Sequence, residues 1–255
     1  MHAEQVLVML VAATAAGWVD AVVGGGGLIQ LPALLLLNPG QPVATALATN
    51  KLGSIAGTTS AAIAYARKAK PDVRIAGPAA GLAVCCAAGG ALCAAAISSD
   101  VLKPLIMVVL LAVAALVVLK PDLGRVPRLV LRTRRRVAAA ILVPGVAIAF
   151  YDGLVGPGTG TFLVIAFTAL LGMDFVDASA TSKIINAGTN LGALVVFAAQ
   201  GHVLWAIGLG MAACNAVGAQ LGARMAIRRG AGFVRVVLLC VVAALVLKMG
   251  YEYFT

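Results

Sequence analysis

Charge is the first thing this sequence is short of. Only 11% of its 255 residues are Asp, Glu, Lys or Arg, against 62% hydrophobic, and the mean hydropathy is +1.05. A water-soluble domain needs a far more polar surface, so none is expected. Histidine is scarcer still: His2 and His202 lie near chain or span ends without an evident partner. The five cysteines (Cys85, Cys86, Cys93, Cys214 and Cys240) all fall in apolar runs, with no C-x-x-C or Cys/His spacing. They read as small hydrophobes, and no disulfide, metal or other cofactor is expected. The G-x-S-x-G, H-E-x-x-H and paired-aspartate motifs are missing, which argues against an enzyme. The N-terminus lacks the basic start of a cleaved signal peptide, so residues 5–22 are expected to stay in the mature protein.

What is present is a succession of long apolar runs, each able to cross about 30 Å of hydrocarbon. The expected fold is therefore an all-α polytopic membrane protein. The formal net charge of +10 does not argue for a nucleic-acid partner, because the basic residues gather in the short segments 67–74, 120–136 and 224–235. Basic clusters beside hydrophobic spans mark cytoplasmic loops lying against lipid headgroups.

The stretch Gly24-Gly25-Gly26-Gly27 breaks the first apolar run, one helical turn after Asp20. Glycines in a row cannot propagate a helix. Their free backbone groups survive in a membrane only where protein or a wet cavity satisfies them. Residues 28–37 follow, closed by Asn38-Pro39-Gly40-Gln41-Pro42. Spans are then expected at 43–66, 73–97 and 101–119, before the basic stretch 120–136.

From residue 137 the pattern begins again. An offset of 132 residues places Asp20 on Asp152, Gly24 on Gly156, Gly26 on Gly158, Gly90 on Gly222 and Lys103 on Arg235. Without a gap it also places Ala48-Thr49-Asn50-Lys51 on Ala180-Thr181-Ser182-Lys183. This reads as an internal duplication, with repeats at 1–119 and 137–255 joined by a basic cytoplasmic linker. The basic turn falls near residue 70 in the first half and near residue 230 in the second, so the repeats are expected to have inverted topology. Each would be a glycine-tipped hairpin, re-entrant or spanning, plus three transmembrane helices, giving roughly 8 membrane segments. The second hairpin has arms 137–154 and 160–171 around Gly156-Pro157-Gly158-Thr159-Gly160.

Few charges lie deep. Lys51 stands roughly 13 Å along a helix from Pro42, near the midplane, and Lys183 lies at the equivalent depth from the other side. Intramembrane lysines point to function, although a structural ion pair with Asp20 or Asp152 is the plainer alternative. The glycine tips offer free N–H groups and the positive end of a helix dipole, suited to anionic oxygens. Thr49, Asn50, Thr159, Thr161, Thr181, Ser182, Asn186 and Asn190 would supply neutral donors. The alternative for these small residues is that they let helices pack closely.

Phe150-Tyr151-Asp152-Gly153, Gly156-Pro157, Gly17-Trp18-Val19-Asp20 with Gly24–Gly27 and Pro32, Ala48-Thr49-Asn50-Lys51-Leu52 and Gly222-Ala223-Arg224-Met225 resemble the sulfite exporter TauE/SafE family, in particular its YfcA-like branch. The resemblance covers nearly the whole chain. It implies a bacterial inner-membrane transporter of two related halves that moves small anions such as sulfite, organosulfonates or carboxylates, generally outward. Pro157 and Thr159 interrupt the second glycine cluster, so the two tips are not expected to be equivalent.

The expectation is thus a secondary transporter exporting a small anion by alternating access. The anion would sit between the tips near Lys51 and Lys183, with Asp20 or Asp152 available to carry a coupling proton. A passive anion channel and a structural membrane subunit are the alternatives. Membrane lipids are the other expected partner; the oligomeric state is open, a homodimer among the options.

Overall fold

The computed structural model describes residues 3–38, 40–119 and 132–254, and the chain is helical throughout its regular elements. Residues 120–131 of the basic linker, and His2, lie outside the described residues. Helix α1 covers Ala3–Val23, α2 Gly27–Leu37, α3 Val43–Ala66, α4 Val73–Ala96 and α5 Ser99–Leu119. Helix α6 covers Arg134–Leu154, α7 Thr159–Leu171, α8 Phe175–Ala199 and α9 Trp205–Gly230, and α10 covers 231–254. The turn from α9 to α10 is made at Gly230, whose φ of 69° is cheap for glycine alone.

Helices α1, α4, α6, α8 and α9 are long and apolar enough to cross a membrane, while α2 and α7 are shorter apolar pieces. These support a multi-pass membrane protein. Helix α3 has 24 residues, but carries Lys51 and a series of buried Thr and Asn positions. Pro144 interrupts the α-helical ladder of α6, which widens to a π-helical stretch over Val143–Ile148.

The packing interleaves the two parts of the chain. Helices α3 and α8 touch at the centre; α9 packs on α3 and α4 packs on α8. Outside them, α1 lies on α9, and α6 lies on α4. Helix α1 of the first part is thus held by a helix of the second, and α6 by a helix of the first.

Small residues make these contacts possible, since backbones approach closely only where no side chain intervenes. A Cβ on Gly222 would stand 2.4 Å from the Trp18 carbonyl oxygen, and one on Gly90 would stand 2.1 Å from that of Phe150. These are the same contact displaced by 132 residues on both sides. The bond from the Leu204 N–H to Thr49 Oγ1, 3.2 Å, has its counterpart in the bond from the Asp72 N–H to Thr181 Oγ1, also 3.2 Å. These contacts across the two parts therefore come in reciprocal pairs.

Candidate functional site

Both glycine clusters end one helix and start another. The Gly24 N–H still donates to the Asp20 carbonyl at 2.8 Å, but Gly24 turns to φ +80° and α1 stops. Gly26 is helical and Gly27 already belongs to α2, so the break is only three residues long. At the second tip Gly156 and Gly158 take φ values of +95° and +80° before α7 begins at Thr159. Among the described residues, the N–H groups of Gly25, Gly26 and Gly27, and of Gly156, Gly158 and Gly160, make no hydrogen bond. These are the unpaired donors that a helix start leaves over.

The tips meet. Gly24 lies against Gly160 backbone to backbone, Gly27 faces Pro157, and Thr161 Oγ1 donates to the Val23 carbonyl at 2.6 Å. Offset counterparts of these contacts would need Leu28 in place of Gly160, so the tips are unlike one another.

Beside the tips sit two ion pairs, both crossing between the parts of the chain. Lys51 on α3 reaches Asp152 Oδ2 on α6 at 2.8 Å, and Lys183 on α8 reaches Asp20 Oδ2 on α1 at 2.6 Å. They are reciprocal under the 132-residue offset, but not identical. Lys183 Nζ donates to both Asp20 Oδ2 and the Asp20 carbonyl, each at 2.6 Å, and the Asp20 side chain is 15% exposed. The Asp152 side chain is 3% exposed, and its Oδ2 receives no aligned hydrogen bond despite the nearby ammonium. Its Oδ1 accepts from Thr159 Oγ1 at 2.6 Å. The four charges cancel, so an anion cannot be held here by net charge alone. It would need the free N–H groups, or the release of a lysine from its partner.

Between the tips and the central helices lies a cavity of about 20 Å³, room for one or two water molecules. Its wall includes Asp20, Lys51, Asp152, Gly24, Gly27 and, from the second tip, Gly156, Gly158, Thr159 and Gly160. The remaining wall is a neutral polar stripe: Asn50, Ser54 and Thr58 from α3, facing Asn186 and Asn190 from α8. Asn190 Nδ2 donates to Thr58 Oγ1 at 3.3 Å, and Thr189 Oγ1 and Asn190 Nδ2 both point at Asn186 Oδ1.

Ser54 and Thr58 are not among the donors expected from the sequence. The signal was available: they follow Asn50 at steps of four, one face of a helix, and their offset counterparts are Asn186 and Asn190. Other expected donors are used differently. Thr49 Oγ1 donates to the Thr45 carbonyl and accepts from Leu204, and Thr181 Oγ1 donates to the Asp177 carbonyl and accepts from Asp72. Both tie helix starts to the crossing helix, away from the cavity. Gly25, Gly26, Ser182 and Lys183 do not line it either. Ser182 Oγ is buried without a partner, as is its counterpart Asn50 Oδ1.

A second buried polar group has no offset counterpart. Asn215 Nδ2 on α9 donates to Gln30 Oε1 on α2 at 2.7 Å, while the matching positions are Ala83 and Phe162. It lies outside the cavity wall.

The profile of the sulfite exporter TauE/SafE family matches residues 9–249. The chain belongs to this family. Among curated members, it is 39% identical over 241 residues to "Probable membrane transporter protein ORF9" of Sinorhizobium sp, covering 94% of this chain and 90% of that one. It is 32% identical over 245 residues to "Probable membrane transporter protein YfcA" of Escherichia coli strain K12, covering 96% and 89%. It is also 32% identical over 250 residues to a "Probable membrane transporter protein" of Haemophilus influenzae, covering 93% and 91%. No solved structure is significantly similar. The family and its named members are membrane transporters, not enzymes, and this chain is one of that family.

Proposed function

We propose that this protein is a secondary transporter of the bacterial inner membrane, exporting a small sulfur or carboxylate oxyanion by proton-coupled alternating access. The observation that carries this reading is the small polar cavity between two glycine breaks, flanked by reciprocal Lys–Asp pairs. Its unpaired N–H groups and two helix starts suit anionic oxygens, and Asn50, Ser54, Thr58, Asn186 and Asn190 supply neutral polar groups. The smallness of the cavity supports a carrier over a passive channel, which needs a continuous water path.

The two halves, 1–119 and 137–255, are read as inverted repeats, with roughly 8 membrane segments in all. The reciprocal contacts at one offset support the duplication, and the placement of basic turns supports the inversion. Each hairpin enters the bilayer from one side and its tip meets the other's at the ion pairs. Cysteine-accessibility mapping should place residues 38–42 and 172–176 on opposite faces; a common face would overturn the topology.

Transport is tested with purified protein in proteoliposomes, loaded in turn with sulfite, a small sulfonate and a small carboxylate. Efflux should exceed that of empty liposomes for at least one, respond to an imposed pH gradient, and fall about tenfold or more in Lys51→Ala and Lys183→Ala, since each lysine is the full charge at its tip. Flux indifferent to both substitutions would remove the site; flux indifferent to the gradient would remove the coupling.

A further inference from the structure

One hydroxyl in the cavity wall lies between two acceptors. Thr159 Oγ1 is 2.6 Å from Asp152 Oδ1 and 2.7 Å from the Gly156 carbonyl oxygen. A threonine hydroxyl has a single proton to donate. With Asp152 ionised, that one proton is shared between two acceptors, and neither short contact is a full hydrogen bond. Thr159 is 3% exposed and Asp152 2%, so bulk water does not relieve the conflict. One more hydrogen does. A proton on Asp152 Oδ1 donates to Thr159 Oγ1, which then donates to the Gly156 carbonyl, and both short contacts become hydrogen bonds.

We infer that Asp152 Oδ1 is a proton-binding site, and that Thr159 is a positioning residue passing its charge state to the glycine tip at Gly156. The other acid is built differently. The position matching Thr159 is Gly27, which has no hydroxyl, and Asp20 is held by Lys183 through both its carboxylate and its carbonyl. The structure thus assigns the proton to one carboxylate of the two.

The charged and titratable groups around Asp152 are few. Lys51 faces Oδ2 from α3, and Asp20 lies across the cavity on α1. Tyr151 is next to it on α6, with its hydroxyl turned to the Pro157 carbonyl. Helix α4 contributes Ala87 and Gly90 at this level, α7 contributes Thr159, and α8 contributes Asn186, none of them titratable.

When the proton leaves, the hydroxyl turns to Oδ1 and releases the Gly156 carbonyl, whose remaining donor is the Thr159 N–H at 3.3 Å. When it binds, Asp152 is neutral and the Lys51 charge is free for an anion, which links one proton to one negative charge. That coupling rests on the transporter reading above; the proton site itself does not.

The test is infrared difference spectroscopy of the purified full chain during a pH titration, without added anion. Against the background of the other acids, a carboxylic-acid C=O component that is missing in Asp152→Asn and present in Asp20→Asn should grow as the pH falls. In Thr159→Val the band should move to higher frequency, because the carboxyl loses its acceptor, and Thr159→Ser should restore it. An Asp152→Asn titration that matches the parent's, or loss of that component in Asp20→Asn, overturns the assignment. Should Asp152→Asn fail to fold, the Thr159 pair decides: a band indifferent to Val and Ser alike overturns it. Sulfite-driven proton movement in proteoliposomes is the separate arm. An Asp152 band without any sulfite flux supports the proton site and removes the transporter reading for sulfite; coupled flux without an Asp152 band does the reverse.

Discussion

Gly24 and Gly160 meet backbone to backbone where the two breaks converge. A Cβ on Gly24 would stand 2.3 Å from the Gly160 carbonyl carbon, and Gly24 has φ +80° besides. Gly24→Ala is therefore expected to cost about 2 kcal/mol or more, read as a lower unfolding temperature in detergent. Gly25→Ala is the control. Its Cβ would meet only the end of the Leu28 side chain, at 3.0 Å, and should cost well under half as much. Equal losses would mean that the tips do not touch.

The reciprocal glycines Gly90 and Gly222 give a second contrast. Each lies against a carbonyl of the other part's first arm, so Gly90→Val and Gly222→Val should both destabilise by about 3 kcal/mol. Gly77 and Gly81 lie on α4 with nothing within 4 Å of an added Cβ. Alanine at either should raise stability by about 0.5–1 kcal/mol, through helix propensity alone. Thermal unfolding of the four variants checks both signs.

The two ion pairs should respond unequally. Asp152→Ala strands the Lys51 ammonium, 2% exposed, with no other partner among the described residues, at a cost of about 3 kcal/mol or more. Adding Lys51→Ala should recover much of that. Asp20→Ala leaves Lys183 the main-chain carbonyl of residue 20, at 2.6 Å, in a more open position, so its loss should be smaller. A double-mutant cycle on each pair measures the difference; a larger coupling for Lys183–Asp20 would contradict the geometry.

Thr49 and Thr181 separate structure from binding. Thr49→Val and Thr181→Val each remove the acceptor for a helix-start N–H, and should cost about 1 kcal/mol. Anion affinity, by thermal shift with sulfite, should stay near that of the parent protein. Asn50→Ala and Asn186→Ala, in the cavity wall, should lower it. The opposite pattern would return the threonines to the site.

Much of this was legible in the sequence, because intramembrane charge and glycine runs are rare enough to carry information singly. The break after Asp20, the helix over 43–66 and the offset joining Gly90 to Gly222 could each be read from residue spacing. Spacing gives depth along a helix, but not which neighbour a face meets. Nothing in the sequence said that Lys51 would choose Asp152 over Asp20, since that depends on α6 lying against the first part of the chain. Thr49 and Thr181 show the same limit: a hydroxyl two residues from a lysine can bind a ligand or tie down a loop. The Gln30–Asn215 pair was hidden because it joins α2 to α9 with no matching pair under the offset.

Thr58 and Asn190 differ from every other pair described here, for 190 is 58 shifted by the offset: the position meets its own counterpart. In a carrier whose halves trade conformations, the Lys51 and Lys183 pairs would exchange surroundings as the protein turns from one side to the other. The contact between Thr58 and Asn190 would not change. A substitution at either lysine pair would then bias the carrier towards facing one compartment, whereas one at Thr58 or Asn190 would set the speed of turning and leave the bias alone.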